Sequence, residues 1–275
     1  MPRVAICAPS TPIAQAAAAR VSALAEAEFP DVALHFHPQC FRSEGHFAGA
    51  DELRLAALLE CANDAAFDAV WFARGGYGAC RIAEAAVAKM GRAAQDKAFL
   101  GYSDAGYLLG ALYRARIGQP VHAPMPNDIG RESGEAAVRR ALAYLSGDRS
   151  GLEPSLGRHP AVAFNLITLA MLCGTRLMPG LAGHVVMVEE VSEHLYAVDR
   201  LFFHVAAHLG GIAGLRLGRV GDVPENDRPF GQEPEQIARY WCERHAIRYL
   251  GEADIGHDAA NRIVPFGLAG RAHGQ

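Results

Sequence analysis

Short apolar runs alternate with longer stretches of helical pattern through the first half of the chain. Residues 4–8 form an apolar run of strand length, closed by Pro9-Ser10-Thr11-Pro12, and residues 14–28 are built from strong helix formers. The pattern predicts strands at 32–37, 69–73, 97–102 and 120–123, with helices at 51–65, 79–90, 106–116 and 134–145, the first of them capped by Asp51. Strands that alternate with helices imply a parallel sheet with helical crossovers, and ligands of such sheets gather at the carboxyl ends of the strands. The stretch from 146 to 160 is rich in Gly, Ser, Pro and charge and reads as a connection between two domains. Beyond it the pattern predicts helices at 164–173, 196–209 and 234–245. Strands are predicted at 184–188, ending at Glu189-Glu190, at 212–220 and at 263–266. The expected division is an N-terminal α/β domain over 1–148, a linker over 149–160 and a mixed C-terminal domain over 161–275.

Composition narrows the class. Of 275 residues, 51% are hydrophobic and 20% are charged, which suits a globular chain with a sizeable core. The formal net charge of -4, without local basic runs, points away from nucleic acid and from anionic membranes as partners. The six cysteines are scattered, with no C-x-x-C pair, as expected of reduced cysteines in a cytoplasmic protein. No apolar run reaches the length of a membrane span, and no signal segment is expected at the start.

Four stretches could carry chemistry. Gly101-Tyr102-Ser103-Asp104-Ala105-Gly106 joins a predicted strand to a predicted helix, which places Ser103 on a sharp turn at the sheet's carboxyl edge. The arrangement is a variant of the G-x-S-x-G elbow, with Ala105 where the second glycine would stand; the competing reading makes Ser103 or Asp104 a helix N-cap. Arg74-Gly75-Gly76-Tyr77-Gly78 is a second strand-to-helix turn. It lacks the glycine spacing and the lysine of phosphate loops, but the Gly76 N–H, facing that of Asp104, could hold an oxyanion. Val188-Glu189-Glu190 ends a strand with carboxylates, one of which could orient a histidine, and His257 sits in a glycine-flanked loop before the last strand. His204 and His208 share a helical face at i and i+4, a spacing able to chelate a metal, but the glutamate of H-E-x-x-H is missing and no metal is expected there.

Taken in order, several motifs resemble one family. They are Ala8-Pro9-Ser10, Ala73-Arg74-Gly75-Gly76-Tyr77-Gly78-Ala79-Cys80-Arg81, Gly101-Tyr102-Ser103-Asp104, His122-Ala123-Pro124-Met125, Asn165-Leu166 before Gly174-Thr175, Val188 to Arg200, and Gly256-His257 before Asn261 and Pro265-Phe266-Gly267. In order and spacing they resemble the LD-carboxypeptidase (murein tetrapeptide carboxypeptidase) family of serine peptidases. The resemblance implies an N-terminal α/β domain similar to class I glutamine amidotransferases and a smaller, β-rich C-terminal domain. It implies a Ser–Glu–His triad of Ser103, Glu189 and His257, with the N–H groups of Gly76 and Asp104 as oxyanion donors and neither metal nor cofactor. It further implies a cytoplasmic homodimer that removes the terminal D-alanine from L-Ala-D-Glu-meso-diaminopimelate-D-Ala peptides in peptidoglycan recycling. Arg74 is the candidate for binding a substrate carboxylate, with an ion pair that holds the loop as the equally weighted alternative. The chain departs from the family at Ala105-Gly106 and at Ala163-Phe164-Asn165, which bears on substrate preference. A related branch hydrolyses the amide of a peptidyl-adenylate-like toxin and confers self-immunity to microcin C; a lapsed hydrolase that only binds peptides is the rival from another class.

Overall fold

The computed structural model describes residues 1–268. Its first half follows the predicted alternation: β1 (Arg3–Cys7), α1 (Gln15–Glu28), β2 (Ala33–Phe36), α2 (Asp51–Asn63), β3 (Ala69–Phe72), α3 (Ala79–Lys89), β4 (Ala98–Gly101), α4 (Gly106–Ala115), β5 (Gln119–His122) and α5 (Gly134–Leu145). The five strands pair in parallel in the order β2-β1-β3-β4-β5. Asp51 does not cap its helix; it is the first helical residue, and its carboxylate takes Arg54 and Arg81 instead.

The second half holds β6 (Ala161–Asn165), α6 (Leu166–Leu172), β7 (Val185–Val191), α7 (Leu195–His208), β8 (Gly214–Gly221), α8 (Pro234–Arg244), β9 (Tyr249–Glu252) and β10 (Val264–Pro265). The helix predicted from 164 is shorter, because Ala161–Asn165 is a buried strand and Asn165 turns the chain into α6 by accepting the Thr168 N–H. A fully buried strand reads as a bare apolar run, and so does a buried helix, which is why periodicity alone merges the two. Strands β6 to β9 form a second sheet, parallel throughout.

The two halves share structure. β10 leaves the second half and pairs antiparallel with β5, Val264 opposite His122, so the last strand completes the first sheet at six strands. The segment between the halves is tied to the same region, since the Glu153 N–H donates to the Ile263 carbonyl and its carboxylate accepts the Asp254 N–H. One continuous buried cluster runs from Phe72 and Leu108 of the first half to Phe164, Val188 and Phe202 of the second. Among the described residues no helix is long and apolar enough to cross a membrane.

Candidate active site

Because β1, β3, β4 and β5 are parallel neighbours, the turns that follow them meet at one edge of the sheet. Ser103 begins a 3-10 turn between β4 and α4 and holds a left-handed backbone at φ 60°, a conformation that costs a non-glycine residue of order 1 kcal/mol and recurs at functional turns. The glycine turn after β3 lies directly beside it. A methyl group on Gly75 would stand 3.0 Å from both Cβ and Oγ of Ser103. Gly76 has φ 104°, and a methyl group there would meet the Thr11 side chain at 2.6 Å, so this backbone requires glycine. Thr11 secures the turn by donating to the Gly75 carbonyl over 2.6 Å. The Gly76 N–H has no hydrogen-bond partner among the described residues, and the Asp104 N–H heads its turn with no intrahelical acceptor available.

The Asp104 side chain serves another element. It accepts the Ala79 N–H at the start of α3 over 2.9 Å and the Ser10 hydroxyl, joining the turns after β1, β3 and β4. Its neighbour Ser103 caps nothing with its side chain, so the N-cap reading of this pair does not hold. Burial lifts the Asp104 carboxyl above the usual range, although these hydrogen bonds and Arg54 oppose the rise.

The second half contributes the buried pair. Glu189, inside β7, is 0% exposed and accepts from Nδ1 of His257 over 2.6 Å. An unpaired carboxylate at such a site would cost several kcal/mol, so the imidazole is what makes the burial tolerable. Adjacent strand residues face opposite ways, and Glu190 accordingly turns to α6, where it accepts from the Ile167 N–H at 2.8 Å and the Asn165 amide at 2.7 Å. Only Glu189 of the two meets a histidine. Gly218 of β8 lets it sit there, since a methyl group at 218 would press on the Glu189 Cβ at 2.9 Å.

His257 reaches the first half. Its ring centroid lies 4.8 Å from that of Tyr102, the residue before Ser103. The Tyr102 hydroxyl donates to Asp128 over 2.9 Å, Asp128 accepts from Arg131 Nε at 3.0 Å, and Arg131 donates to the His257 carbonyl over 2.7 Å. This chain of contacts fixes the loop of residue 257 against the turn of residue 103. No hydrogen bond joins Ser103 Oγ to the imidazole among the described residues. Burial alone would depress the basicity of His257, but the Glu189 charge and hydrogen bond outweigh it and hold its pKa above the ordinary histidine value, with Arg131 opposing. His122, at the end of β5, is buried beside Tyr102 and bonded to Asn261 over 3.0 Å, and burial keeps it neutral by pushing its pKa down.

The expected residues thus fall into one region, with Ser103, Gly76 and Asp104 on two neighbouring turns and Glu189–His257 arriving from the second half. Arg74, exposed on the glycine turn, donates to the Pro12 carbonyl at 3.3 Å and has no carboxylate partner among the described residues. Sequence reasoning missed Tyr102, Asp128 and Arg131; the only local signal was the i, i+3 spacing of Asp128 and Arg131.

Family models add the deciding observation. Residues 4–123 match the LD-carboxypeptidase N-terminal domain and residues 160–271 match the LD-carboxypeptidase C-terminal domain. The chain belongs to the LD-carboxypeptidase family. It is 28% identical over 294 residues to the murein tetrapeptide carboxypeptidase of Pseudomonas aeruginosa, covering 96% of this chain and 91% of that one. A Streptomyces coelicolor protein that carries the name carboxypeptidase is 32% identical over 236 residues, covering 81% of this chain and 74% of the relative. Among solved structures, the muramoyltetrapeptide carboxypeptidase of Oxalobacter formigenes superposes with a TM-score of 0.81 at 20% identity, over 96% of this chain and 92% of that chain. The microcin C7 self immunity protein MccF in its wild-type apo state gives 0.78 at 16% identity, over 97% and 91%. At those identities the structural matches establish the shared α/β fold. Membership of the LD-carboxypeptidase family makes the protein a peptidase.

Proposed function

We propose that this peptidase is a serine LD-carboxypeptidase that cuts the bond between meso-diaminopimelate and the terminal D-alanine of murein tetrapeptide. The observation that carries the reading is the 2.6 Å Glu189–His257 pair set against Tyr102, one residue from a serine held at positive φ. Glu189 keeps the proton of the resting ring on Nδ1, so Nε2 is the free base. As Ser103 Oγ attacks the scissile carbonyl, its proton passes to Nε2, and the oxyanion takes the N–H groups of Gly76 and Asp104. His257 then gives that proton to the departing amine of D-alanine, and a water molecule, activated in the same way, hydrolyses the acyl-enzyme. The hydrogen bond between Ser103 and His257 forms in the substrate complex, as it often does in serine hydrolases whose free site is loose. Arg74 grips the carboxylate of the terminal residue. The cycle takes place in the cytoplasm during peptidoglycan recycling, in a homodimer whose subunits divide at about residues 149–160 and carry the site at the junction.

Release of D-alanine from L-Ala-D-Glu-meso-diaminopimelate-D-Ala tests this. The native chain should release it, and Ser103→Ala should lower the rate by at least about a thousandfold without changing the thermal midpoint. Equal turnover by Ser103→Ala removes the nucleophile assignment. Cleavage of an aminoacyl sulfamoyl adenosine with the tetrapeptide left intact favours the microcin-type amide hydrolase, and peptide binding without turnover favours a lapsed hydrolase.

A further inference from the structure

A second cluster of reactive side chains lies on the outer helices of the second half, away from the catalytic turn. Cys173 directly follows α6, and His204 and His208 lie one turn apart on α7, which packs against it. One ligand atom from each of the three falls within 4.8 Å of the other two. Cys173 is 8% exposed, His204 is half-buried and His208 is exposed, so the cluster is closed on the protein side and open to water on the other. The ring of His208 is already oriented. Its Nδ1 lies 2.8 Å from the His204 carbonyl oxygen, which assigns the N–H to Nδ1 and leaves the Nε2 lone pair for a ligand, the arrangement that ligating histidines usually show. The two rings are 4.5 Å apart, centroid to centroid.

We propose that Cys173, His204 and His208 form a site for a borderline-soft divalent cation, Zn2+ foremost, with water as the fourth ligand. One thiolate and two imidazoles suit Zn2+ and Co2+; Mg2+ and Ca2+ require oxygen donors, which this set lacks. A tetrahedral Zn2+ with bonds of about 2.0–2.3 Å holds its donors roughly 3.5 Å apart, so the three atoms need to close by about an ångström. The solvent-side imidazoles supply that by small side-chain rotations. Burial pushes the Cys173 thiol up to about 11, so near neutrality it enters the reaction protonated. On binding, the S–H bond breaks, an S–Zn bond forms, and the proton leaves to solvent. The cation then ties the end of α6 to α7. α6 starts at Leu166 behind its cap Asn165, and its Thr168 hydroxyl lies 3.4 Å from the Ser103 carbonyl, so the site braces a helix that abuts the catalytic turn while its ligands stay clear of the reacting atoms. The sequence alone offered only the i, i+4 histidine pair; the thiol arrives through helix packing.

The test uses the full chain, free of any tag and stripped with a chelator. Titration calorimetry with Zn2+ alone should show one equivalent bound, and Co2+ should give a tetrahedral visible spectrum with a thiolate-to-metal charge-transfer band. Cys173→Ser should abolish that band. His204→Ala and His208→Ala, both on the solvent side, should each weaken Zn2+ at least tenfold and remove the rise in thermal midpoint that Zn2+ produces, with circular dichroism and peptide hydrolysis unchanged. No saturable Zn2+ binding, or binding that both histidine variants leave intact, overturns the proposal; the latter result would locate the ion on other histidines of the chain. Should Cys173→Ser fail to fold, the two histidine variants decide.

Discussion

Nδ1 of His257 lies 2.6 Å from Oε2 of Glu189, and this pairing governs both the tautomer and the basicity of the ring. Replacing Glu189 with Gln keeps the shape but removes the charge. The rate should fall on the order of 10^3- to 10^4-fold. With His257 as the proposed base, the acid limb of kcat/KM against pH reports it in the free enzyme and should lie above about 6.5 in the native chain, because the folded-state pKa is raised. In Glu189→Gln that limb should move down, since burial then acts without the opposing charge. The same sign applies to stability. A raised histidine pKa contributes stability that is complete below about 6.5 and is lost as pH climbs through the folded-state value, so the native chain should lose this increment on alkalisation and the variant should not. Chemical denaturation across the window from pH 5 to roughly 9 reads it.

Arg131→Ala should have the opposite effect on the acid limb. The guanidinium opposes protonation of His257 and holds its carbonyl at 2.7 Å. Its removal should shift the limb upward and lower kcat about tenfold, because the loop of residue 257 loses an anchor while Glu189–His257 persists. Opposite displacements in the two variants, measured on one substrate, separate charge at the ring from loosening of the fold. A shift in the same direction would contradict the electrostatic account.

Gly75→Ala and Gly76→Ala make a contrasting pair. At 75 the new methyl group meets Cβ and Oγ of Ser103, both 3.0 Å away; the hydroxyl can rotate aside, but Cβ yields only if the turn shifts by a few tenths of an ångström. That variant should melt slightly below the native chain and lose most of its kcat, the displaced hydroxyl being the proposed nucleophile. At 76 the methyl group meets Thr11 at 2.6 Å on a backbone of positive φ, so a loss of about 1–3 kcal/mol of stability is expected before any effect on chemistry. Thermal melts paired with steady-state kinetics distinguish the two.

Arg74→Ala should raise KM about tenfold or more and leave kcat within a fewfold, if the guanidinium binds the terminal carboxylate alike in ground and transition states. A substrate amidated at that carboxylate should be insensitive to the substitution. Loss of kcat alone would instead place Arg74 in holding the turn.

Much of this was written locally. Strands β1, β3 and β4 are short apolar runs, and α3 and α5 bury residues spaced three and four apart on one face, so backbone geometry and burial select these elements without distant partners. Gly75-Gly76 and Ser103 are legible for the same reason, since a turn that needs positive φ or a close approach constrains its own residues. The order of the family motifs carried the assignment of Glu189 and His257, which composition alone would have left among many acidic groups and twelve histidines.

Other features depend on which surfaces meet. Glu189 and Glu190 are chemically alike and adjacent, and only the pleat of β7 between its neighbours sends one to His257 and the other to the start of α6. The ladder that runs from Tyr102 through Asp128 and Arg131 to the His257 carbonyl, the return of β10 to the first sheet, and the approach of Cys173 to His204 and His208 likewise link segments far apart in the chain. Local periodicity says which face of an element is apolar. Which other face covers it is settled by packing and hydrogen-bond satisfaction over the whole molecule, and such pairings leave no periodic trace in the amino acids that form them.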